Sequence, residues 1–600
     1  MTRTPRKWVL EDQEDTRNTN EGEETALRRS GRNRRPREPY WVAPGQPNLL
    51  GAAISPELED PLTINEATKR YDGMLWSEAA QMEYDSMQTN KVWDLVDIPA
   101  GRKPIGHRWV FKVKRDEAGR IVKYKARIVA KGYSQIPGTD FEETFAPVAD
   151  WNSIRVVLTI AAADNMELVQ WDVETAFLNG DIDKELYMTQ PEGFVVHGKE
   201  GKVCRLNKAI YGLKQASRQW NIKLDNTLTK IGFTRSEADP CVYQGAIKGF
   251  QCIIVIWVDD MIAACVNQGI LDYVRTQISK DFTLKNLGKL KYVLGIEILR
   301  DRKGKRIMLS QKQYLSKVLD RFGMGESRAV ATPLEKDRHF VKNDTTTEDL
   351  KDYQSQIGSL MYAMIGTRPD LSFAVGVLSQ YASNPGEEHL VGVKRILRYL
   401  KGTLSLGLVL DGSKGLTLTG YTDADYAGDV DTRCSTSGYL IKVGNSTCSW
   451  SSKKQRVVAT STMEAEYLGA YGYAQEVIWY RKLLQSLGKL PDSTSTTVFA
   501  DNQSAINYAK GDSCRGKGKH IQVKYHFVRE CMRKGEMELQ YLQTDKMVAD
   551  VFTKSLGKGK HELFTQSMGL LNEENFLQHI RSGSVETNRT AEEGTDCKAV

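Results

Sequence analysis

The stretch that most constrains the fold of this chain runs from Gly249 to Gln268 and reads GFQCIIVIWVDDMIAACVNQ. Two apolar, β-branched runs flank two adjacent carboxylates, which predicts a β-hairpin with Asp259 and Asp260 at its tip. Adjacent aspartates at a strand end repel each other, so a cation is expected beside them. Mg²⁺ binds one or two protein carboxylates together with phosphate oxygens and water, so this interpretation requires a third acid and a nucleotide. A solvated turn is the alternative for the pair taken alone.

The composition indicates an ordinary globular chain of several domains. The 600 residues are 26% charged and 40% hydrophobic, and the formal charge of +7 permits a nucleic-acid partner without proving one. No apolar run reaches the roughly 18 residues of a membrane span, and Met1 to Leu10 has no hydrophobic signal core, so we expect no membrane contact. The nine cysteines are scattered and form no CxxC pair, so neither a zinc ribbon nor a disulfide framework is indicated, and free thiols are predicted.

Residues 1–75 are predicted to be a disordered linker, acidic at first and basic later. Its arginine cluster is an anion-binding or nuclear-address candidate, with a solvated linker as the alternative, and comprises Arg28, Arg29, Arg32, Arg34, Arg35 and Arg37.

A basic hairpin is predicted between Arg108 and Lys131, where apolar and basic residues alternate on both sides of a turn at 117–119. Its cations would share one face, and they are Lys112, Lys114, Lys123, Lys125, Arg127 and Lys131. Such a face suits a triphosphate or a nucleic-acid backbone. Lysines that only blunt an exposed strand edge are the alternative.

A third acid follows in ELVQWDV, a predicted strand with Asp172 near its end. The next helical segment begins near YGLKQASRQW, which carries Gln215, and leads into the Asp259 hairpin.

Four motifs in this order, WDVETAFLNGD, YGLKQASRQW, WVDD and YVLGIEI, resemble the reverse transcriptase of copia-type long-terminal-repeat retrotransposons. The resemblance implies a right-hand polymerase with Asp172, Asp259 and Asp260 in the palm and basic fingers before it. Two departures are Trp257, where the family usually has tyrosine, and Ser217, where it usually has proline.

The resemblance also implies substrate contacts. Phe177 stands where the family keeps an aromatic ring beneath the sugar, and such a ring would exclude a ribose 2′-hydroxyl, although a core role is the alternative. The candidate substrate-binding residues are Lys112, Lys114, Lys125, Arg127, Phe177 and Gln215. Phosphoryl transfer relies on positioning and charge stabilisation, so we expect two Mg²⁺ per active site, with Mn²⁺ as an alternative ion.

The last part of the chain presents separated acids at two strand ends and on two helices. A calcium-binding loop beginning at Asp423 is excluded because Cys434 takes the place of the required glutamate. The pattern resembles the metal site of a ribonuclease H fold, which assigns catalytic and metal-binding roles to Asp423, Glu466, Asp501 and Asp550. KHIQVKYHFVRE adds His520 and His526, for which packing and catalysis are both open.

The predicted architecture is a multidomain α/β and α+β protein: a right-hand polymerase with fingers, palm and thumb, then a connection and a ribonuclease H-like domain. The boundaries are a linker at 1–75, the polymerase at 76–335, the connection at 336–412, the ribonuclease H-like domain at 413–560 and a tail at 561–600.

The expected function is RNA-directed DNA polymerase with ribonuclease H activity. Its partners would be an RNA template, a DNA primer, RNA/DNA hybrids, deoxynucleoside triphosphates and other Pol or Gag products of the element. The expected location is cytoplasmic, in virus-like particles, or nuclear. The alternative is a decayed or domesticated fragment that binds nucleic acid with little catalysis, for which Trp257 is the main support.

Overall fold

A computed structural model describes residues 60–115, 120–343, 350–511 and 519–580. The arginine cluster, the hairpin turn at 117–119 and the tail beyond residue 580 lie outside the described residues. Within the described part, no helix is both long and apolar enough to cross a membrane.

The N-terminal helices and strands pack around Trp76, which is fully buried and meets Phe111 and Tyr124 edge to face. They are α1 (Ile64–Lys69), α2 (Gly73–Thr89), β1 (Trp93–Val96), β2 (His107–Arg115) and β3 (Ile121–Ala130). The predicted basic hairpin is confirmed, because β2 and β3 pair antiparallel. The predicted linker boundary at residue 75 is wrong, since α1 and α2 already belong to this apolar core.

A six-stranded sheet forms the centre of the next region. The elements are α3 (Trp151–Ala163), β4 (Glu167–Val173), β5 (Asp181–Met188), β6 (Val203–Lys208), α4 (Ala216–Ile231), β7 (Thr234–Arg235), β8 (Val242–Ile247), β9 (Phe250–Trp257), β10 (Asp260–Cys265), α5 (Gln268–Ile278) and β11 (Leu284–Lys289). The strand order is β11-β4-β10-β9-β8-β7, and β5, β6 and β1 form a separate small sheet. The hairpin predicted from the central stretch is therefore β9–β10, and it lies beside β4, which carries Asp172.

Four helices then share one apolar core. The elements of this part are β12 (Tyr292–Val293), β13 (Ile296–Asp301), β14 (Arg306–Ser310), α6 (Lys312–Arg321), α7 (Leu350–Gly366), α8 (Ser372–Ser379), α9 (Glu387–Gly402) and β15 (Leu406–Asp411). Leu315 of α6 packs in the same cluster as Ile357 of α7 and Leu397 of α9. The predicted division between thumb and connection at residue 335 is thus not a boundary in packing.

The last sheet has the strand order β18-β17-β16-β19-β20, with β16, β19 and β20 parallel. Its region comprises β16 (Leu418–Ala424), β17 (Thr436–Val443), β18 (Ser446–Lys454), α10 (Thr462–Ser486), β19 (Thr496–Ala500), α11 (Gln503–Lys510), α12 (Lys519–Arg533), β20 (Met537–Tyr541), α13 (Lys558–Ser567) and β21 (Leu570–Asn572). The predicted tail from residue 561 is wrong for residues 561–580, which are folded. Strand β21 pairs with β15, and Phe576 is fully buried.

The central and last regions are joined by direct packing. Helix α3 and helix α10 contribute to one hydrophobic cluster. Polar contacts add to it: the Trp479 indole donates to the carbonyl oxygen of Ala238 at 2.7 Å, and Lys489 pairs with Asp164 at 2.7 Å.

Candidate active sites

Three acidic residues lie at one end of the central sheet. Asp172 is the penultimate residue of β4, and Asp260 is the first residue of β10 and lies directly opposite it. Directly opposed residues of antiparallel strands have Cα atoms about 4.5 to 5.5 Å apart. The turn that precedes β10 supplies Asp259, whose carbonyl oxygen accepts a hydrogen bond from the Val173 amide at 3.0 Å. The structure therefore places the three acids predicted from the sequence at the same end of the sheet.

The turn that carries Asp259 is held in a strained conformation. Val258 has φ of 59°, a left-handed value that is unfavourable for a β-branched residue. Its carbonyl oxygen accepts a 2.7 Å hydrogen bond from the Trp220 indole of α4. Strain of this kind persists only where surrounding contacts fix the backbone, and it is common at functional sites.

Two acids of this site, Asp172 and Asp260, have raised pKa values. Burial, and then repulsion from Asp259, raise the pKa of Asp172. Burial also raises the pKa of Asp260, a change that Gln170 opposes by donating a 3.2 Å hydrogen bond. A divalent cation would relieve both effects, since it favours the ionised carboxylates.

The predicted cationic face exists, and two of its lysines lower the pKa of Asp172 through their charge. The register places Lys112 opposite Lys125, Lys114 opposite Lys123, and Val110 opposite Arg127, so the five cations share a face. Burial and the neighbouring cations lower the pKa of Lys125 to about 8. Lys125 and Lys114 both act electrostatically on Asp172. Lys112 differs, because it forms a 2.8 Å ion pair with Asp60.

An aromatic contact links this face to Phe177. The guanidinium of Arg127 lies over the Tyr211 ring at 4.5 Å, and Phe177 meets the same ring edge to face at 5.0 Å. Tyr211 was missed by the sequence analysis, although it opens the quoted motif YGLKQ. Phe177 is half-buried and contacts two apolar cores, so the sugar-selection role stays a prediction beside the packing role.

Gln215 is not presented to a substrate. Its side chain is fully buried, and its amide donates to the carbonyl oxygen of Asp140 and accepts from Gln135, both at 3.0 Å. Both ends of the amide are thus occupied by the protein. In this structure Gln215 fixes the segment before α4 to residues 135–140, which corrects the expected direct substrate contact.

A second group of acids lies in the last domain. Asp423 is the penultimate residue of β16, Asp501 directly follows β19, and Glu466 lies on α10. Since β16 and β19 are adjacent and parallel, their carboxyl ends lie side by side, and α10 packs against β16. One carboxylate oxygen from each residue lies within 4.8 Å of the other two. Three carboxylates at this spacing fit a hard divalent cation such as Mg²⁺.

Two of these carboxylates are deeply buried. Burial and repulsion from Asp550 raise the pKa of Asp423 to about 7. Burial and repulsion from Asp423 and Asp501 raise the pKa of Glu466 to about 10. A Thr553 hydroxyl donates to Asp423, and Thr544 donates to Asp501 at 2.8 Å. These hydroxyls orient the acids, but a cation is needed to stabilise three ionised groups here.

Asp550 is placed differently from the prediction. It lies in a short 3-10 segment, Val548–Phe552, instead of the predicted late α-helix, and it is outside the group of three. Its carboxylate is fully buried and forms ion pairs with Lys554 at 2.8 Å and Lys560 at 2.6 Å. Those two lysines were missed, although the spacing of four residues between Asp550 and Lys554 was a readable ion-pair signal.

The histidines remain without an assigned role. His526 is exposed on α12, and the side chain of His520 lies outside the described residues.

Comparison with known proteins identifies the polymerase region, and sequence relatives extend over most of the chain. A family model described as "Reverse transcriptase (RNA-dependent DNA polymerase)" matches residues 90–336, which include the three palm acids. The retrovirus-related Pol polyprotein of transposon TNT 1-94 from Nicotiana tabacum is 40% identical over 548 residues, which are 90% of this chain and 41% of that protein. A transposon Ty5-1 protein of Saccharomyces cerevisiae is 36% identical over 310 residues, which are 51% of this chain and 100% of that protein.

A solved foamy viral protease-reverse transcriptase in complex with dsDNA is also similar, at 14% identity and a TM-score of 0.43, over 78% of this chain and 83% of that one. The chain spans 34% to 41% of the length of the three plant Pol polyproteins that it matches. The family assignment rests on the sequence relatives and on the motifs that carry the palm acids. The chain belongs to the reverse transcriptase family of copia-type retrotransposon Pol polyproteins.

Proposed function

We propose that this chain is an RNA-directed DNA polymerase that also cleaves the RNA strand of RNA/DNA hybrids. The observation that carries the proposal is the presence of two separate acid groups, each assembled at strand ends. Its partners would be an RNA template, a DNA primer, hybrid duplexes and deoxynucleoside triphosphates. Other Pol or Gag products of the element would be further partners. The proposed location is the cytoplasm, in virus-like particles, or the nucleus.

In the palm, Asp172, Asp259 and Asp260 would hold two Mg²⁺ ions. Bound Mg²⁺ supplies charge neutralisation and lowers the pKa of the attacking oxygen. The chain's own contribution is positioning: the register of β4 and β10 fixes the acids, and the Trp220 contact fixes the turn. Lys114 and Lys125 add positive charge near Asp172, which would help to neutralise a triphosphate bound there.

In the last domain, Asp423, Glu466 and Asp501 would hold Mg²⁺ against the scissile phosphate. The hydroxyls of Thr553 and Thr544 keep two of these carboxylates oriented. Mn²⁺ fits the same oxygen donors and would serve as an alternative ion.

The binding-only alternative draws its main support from Trp257. The Trp257 side chain packs against Trp151, with ring centroids 6.1 Å apart, and Asp172 still lies directly opposite Asp260. Tryptophan at this position is therefore accommodated without disturbing the acid group, and the enzyme is the better-supported function.

The decisive experiment is primer extension on an RNA template with Asp259→Asn. Removing one charge from the metal site should lower the rate by about a thousandfold, equivalent to about 4 kcal/mol of transition-state stabilisation, and leave hybrid binding nearly intact. Asp272→Asn makes the same chemical change on an exposed position of α5 and serves as the control. Extension by Asp259→Asn at the control's rate would refute the palm assignment.

A further inference from the structure

Lys554 is the cation shared by the acids of the last domain. Its ammonium lies 2.8 Å from Asp550, which is fully buried, while the lysine side chain itself is 47% exposed. It also acts on the other carboxylates: burial raises the pKa of Asp423, of Asp425 and of Glu466, and Lys554 opposes all three changes. The position of this ammonium thus couples it to the whole site.

The opposite oxygen of Asp550 is also occupied. Lys560 donates to it at 2.6 Å and to the carbonyl oxygen of Thr544 at 3.2 Å. Thr544 in turn donates to Asp501. Both oxygens of Asp550 therefore face ammonium groups, whereas the three acids that approach one another within 4.8 Å exclude Asp550.

A second divalent ion at Asp550 would have to displace a lysine. Mg²⁺ requires near-ideal octahedral oxygen coordination and loses water reluctantly, so a carboxylate already paired with two ammonium groups is a poor ligand for it. An ammonium supplies positive charge at the same place without that requirement, and it can donate hydrogen bonds to phosphate oxygens.

We propose that Lys554 supplies the second positive charge of the ribonuclease site, so that one divalent ion on Asp423, Glu466 and Asp501 works together with this ammonium. The inference rests on the proposed ribonuclease function and replaces, for this site, the expectation of two Mg²⁺ ions. During cleavage a P–O bond forms to a water oxygen and the P–O bond to the departing RNA oxygen breaks. The proton released by the water ends on that departing oxygen. Lys554 stabilises the negative charge on the phosphate oxygens in the transition state.

The test uses the full chain with Asp259→Asn, which weakens ion binding in the palm, and adds Lys554→Met. Bound Mn²⁺ is counted by electron paramagnetic resonance titration. Without the ammonium, Asp550 becomes available as a ligand, so Lys554→Met should bind one more Mn²⁺ than its parent. Lys554→Arg keeps the charge and should bind the same number as the parent. Lys558→Met, which removes a surface lysine paired with Glu562 at 4.0 Å, is the matched control.

Cleavage of a hybrid gives the second readout. Lys554→Met should lose about a hundredfold in rate at low Mg²⁺, in the range seen when one transition-state donor is removed, and should recover as the Mn²⁺ concentration rises. An unchanged Mn²⁺ count together with a parental cleavage rate in Lys554→Met would overturn the inference. A parent that does not cleave hybrids would show that the proposed ribonuclease function is wrong, and the Mn²⁺ count would still decide the role of Lys554.

Discussion

Replacing Arg155 should loosen the junction between three parts of the molecule. Arg155 lies on α3 and is only 3% exposed. Its guanidinium donates to the carbonyl oxygen of Cys448 at 2.7 Å and to those of Ile365 and Gly366 at 2.9 and 3.2 Å. It also stacks on Trp450, with 4.2 Å to the ring centroid. One side chain therefore joins the palm, the end of α7 and strand β18.

The magnitude follows from the acceptors that would be left behind. Ile365 and Gly366 end α7, where carbonyl groups lack partners inside the helix and carry the negative end of the helix dipole. Arg155→Met would leave three carbonyls without this donor, those of Cys448 and Gly366 at buried hydrogen bonds and that of Ile365 at a part-buried one, and a buried unpaired carbonyl costs about 1 to 3 kcal/mol. Part of that loss is offset. Arg155 has no carboxylate within 4.0 Å among the described residues, so burying its charge costs free energy, and Arg155→Met removes that cost. We expect a net loss of about 3 kcal/mol in the free energy of unfolding.

The assay is guanidinium unfolding combined with hydrogen exchange, since a multidomain chain need not unfold in one step. Arg155→Met should lower the unfolding midpoint and increase exchange in α7 and β18. Arg155→Lys keeps the charge but loses the planar fork, so an intermediate effect is expected. Arg321→Met, at an exposed site on α6, should change stability by less than about 0.5 kcal/mol. A change as small in Arg155→Met would refute the view that Arg155 holds the junction.

Three further predictions concern the two sites. Asp501→Asn should stop RNA cleavage in a hybrid and spare DNA synthesis, because its acid group is separate from the palm; loss of both activities in folded protein would contradict this. Phe177→Ala should raise ribonucleotide incorporation relative to the matching deoxynucleotide if the ring lies under the sugar; an unchanged ratio with a stability loss of about 3 to 5 kcal/mol would indicate a core residue. The raised pKa values of Asp423, about 7, and Glu466, about 10, mean that the metal-free folded state keeps protons that the unfolded chain has released. In chelator its melting temperature should therefore fall as the pH rises from about 5 to about 8, and added Mg²⁺ should reverse the fall.

The palm acids could be predicted because their arrangement depends on short-range patterns. Two apolar runs around Asp259 and Asp260 specify a hairpin, and a buried strand ending near Asp172 specifies a neighbour. The alternation of cations in the basic hairpin likewise fixed their common face. In each case the alternation of side chains between the two faces of a strand decides which side chains lie on the same face.

Contacts between segments distant in sequence could not be predicted from such patterns. Gln215 looked available because its motif is polar, yet its partner Gln135 lies 80 residues earlier. The division at residue 335 failed for a related reason, since the apolar face of α6 packs on helices that follow a polar stretch. A pattern within one segment shows that a face is apolar but does not identify the surface that covers it.

The arrangement of the two active sites depends on contacts of that second kind. Arg155 and Cys448 are 293 residues apart, and Arg155 and Ile365 are 210 apart, so no local signal distinguishes this buried arginine from a solvated one. Nevertheless, α3 borders the same sheet that carries Asp172, and β18 belongs to the sheet that carries Asp423. Helix α3 therefore contacts both the sheet that carries the palm acids and strand β18 of the last domain. Arg155 belongs to neither acid group and yet bonds across this contact, so its replacement tests whether the packing between the two regions matters for either site.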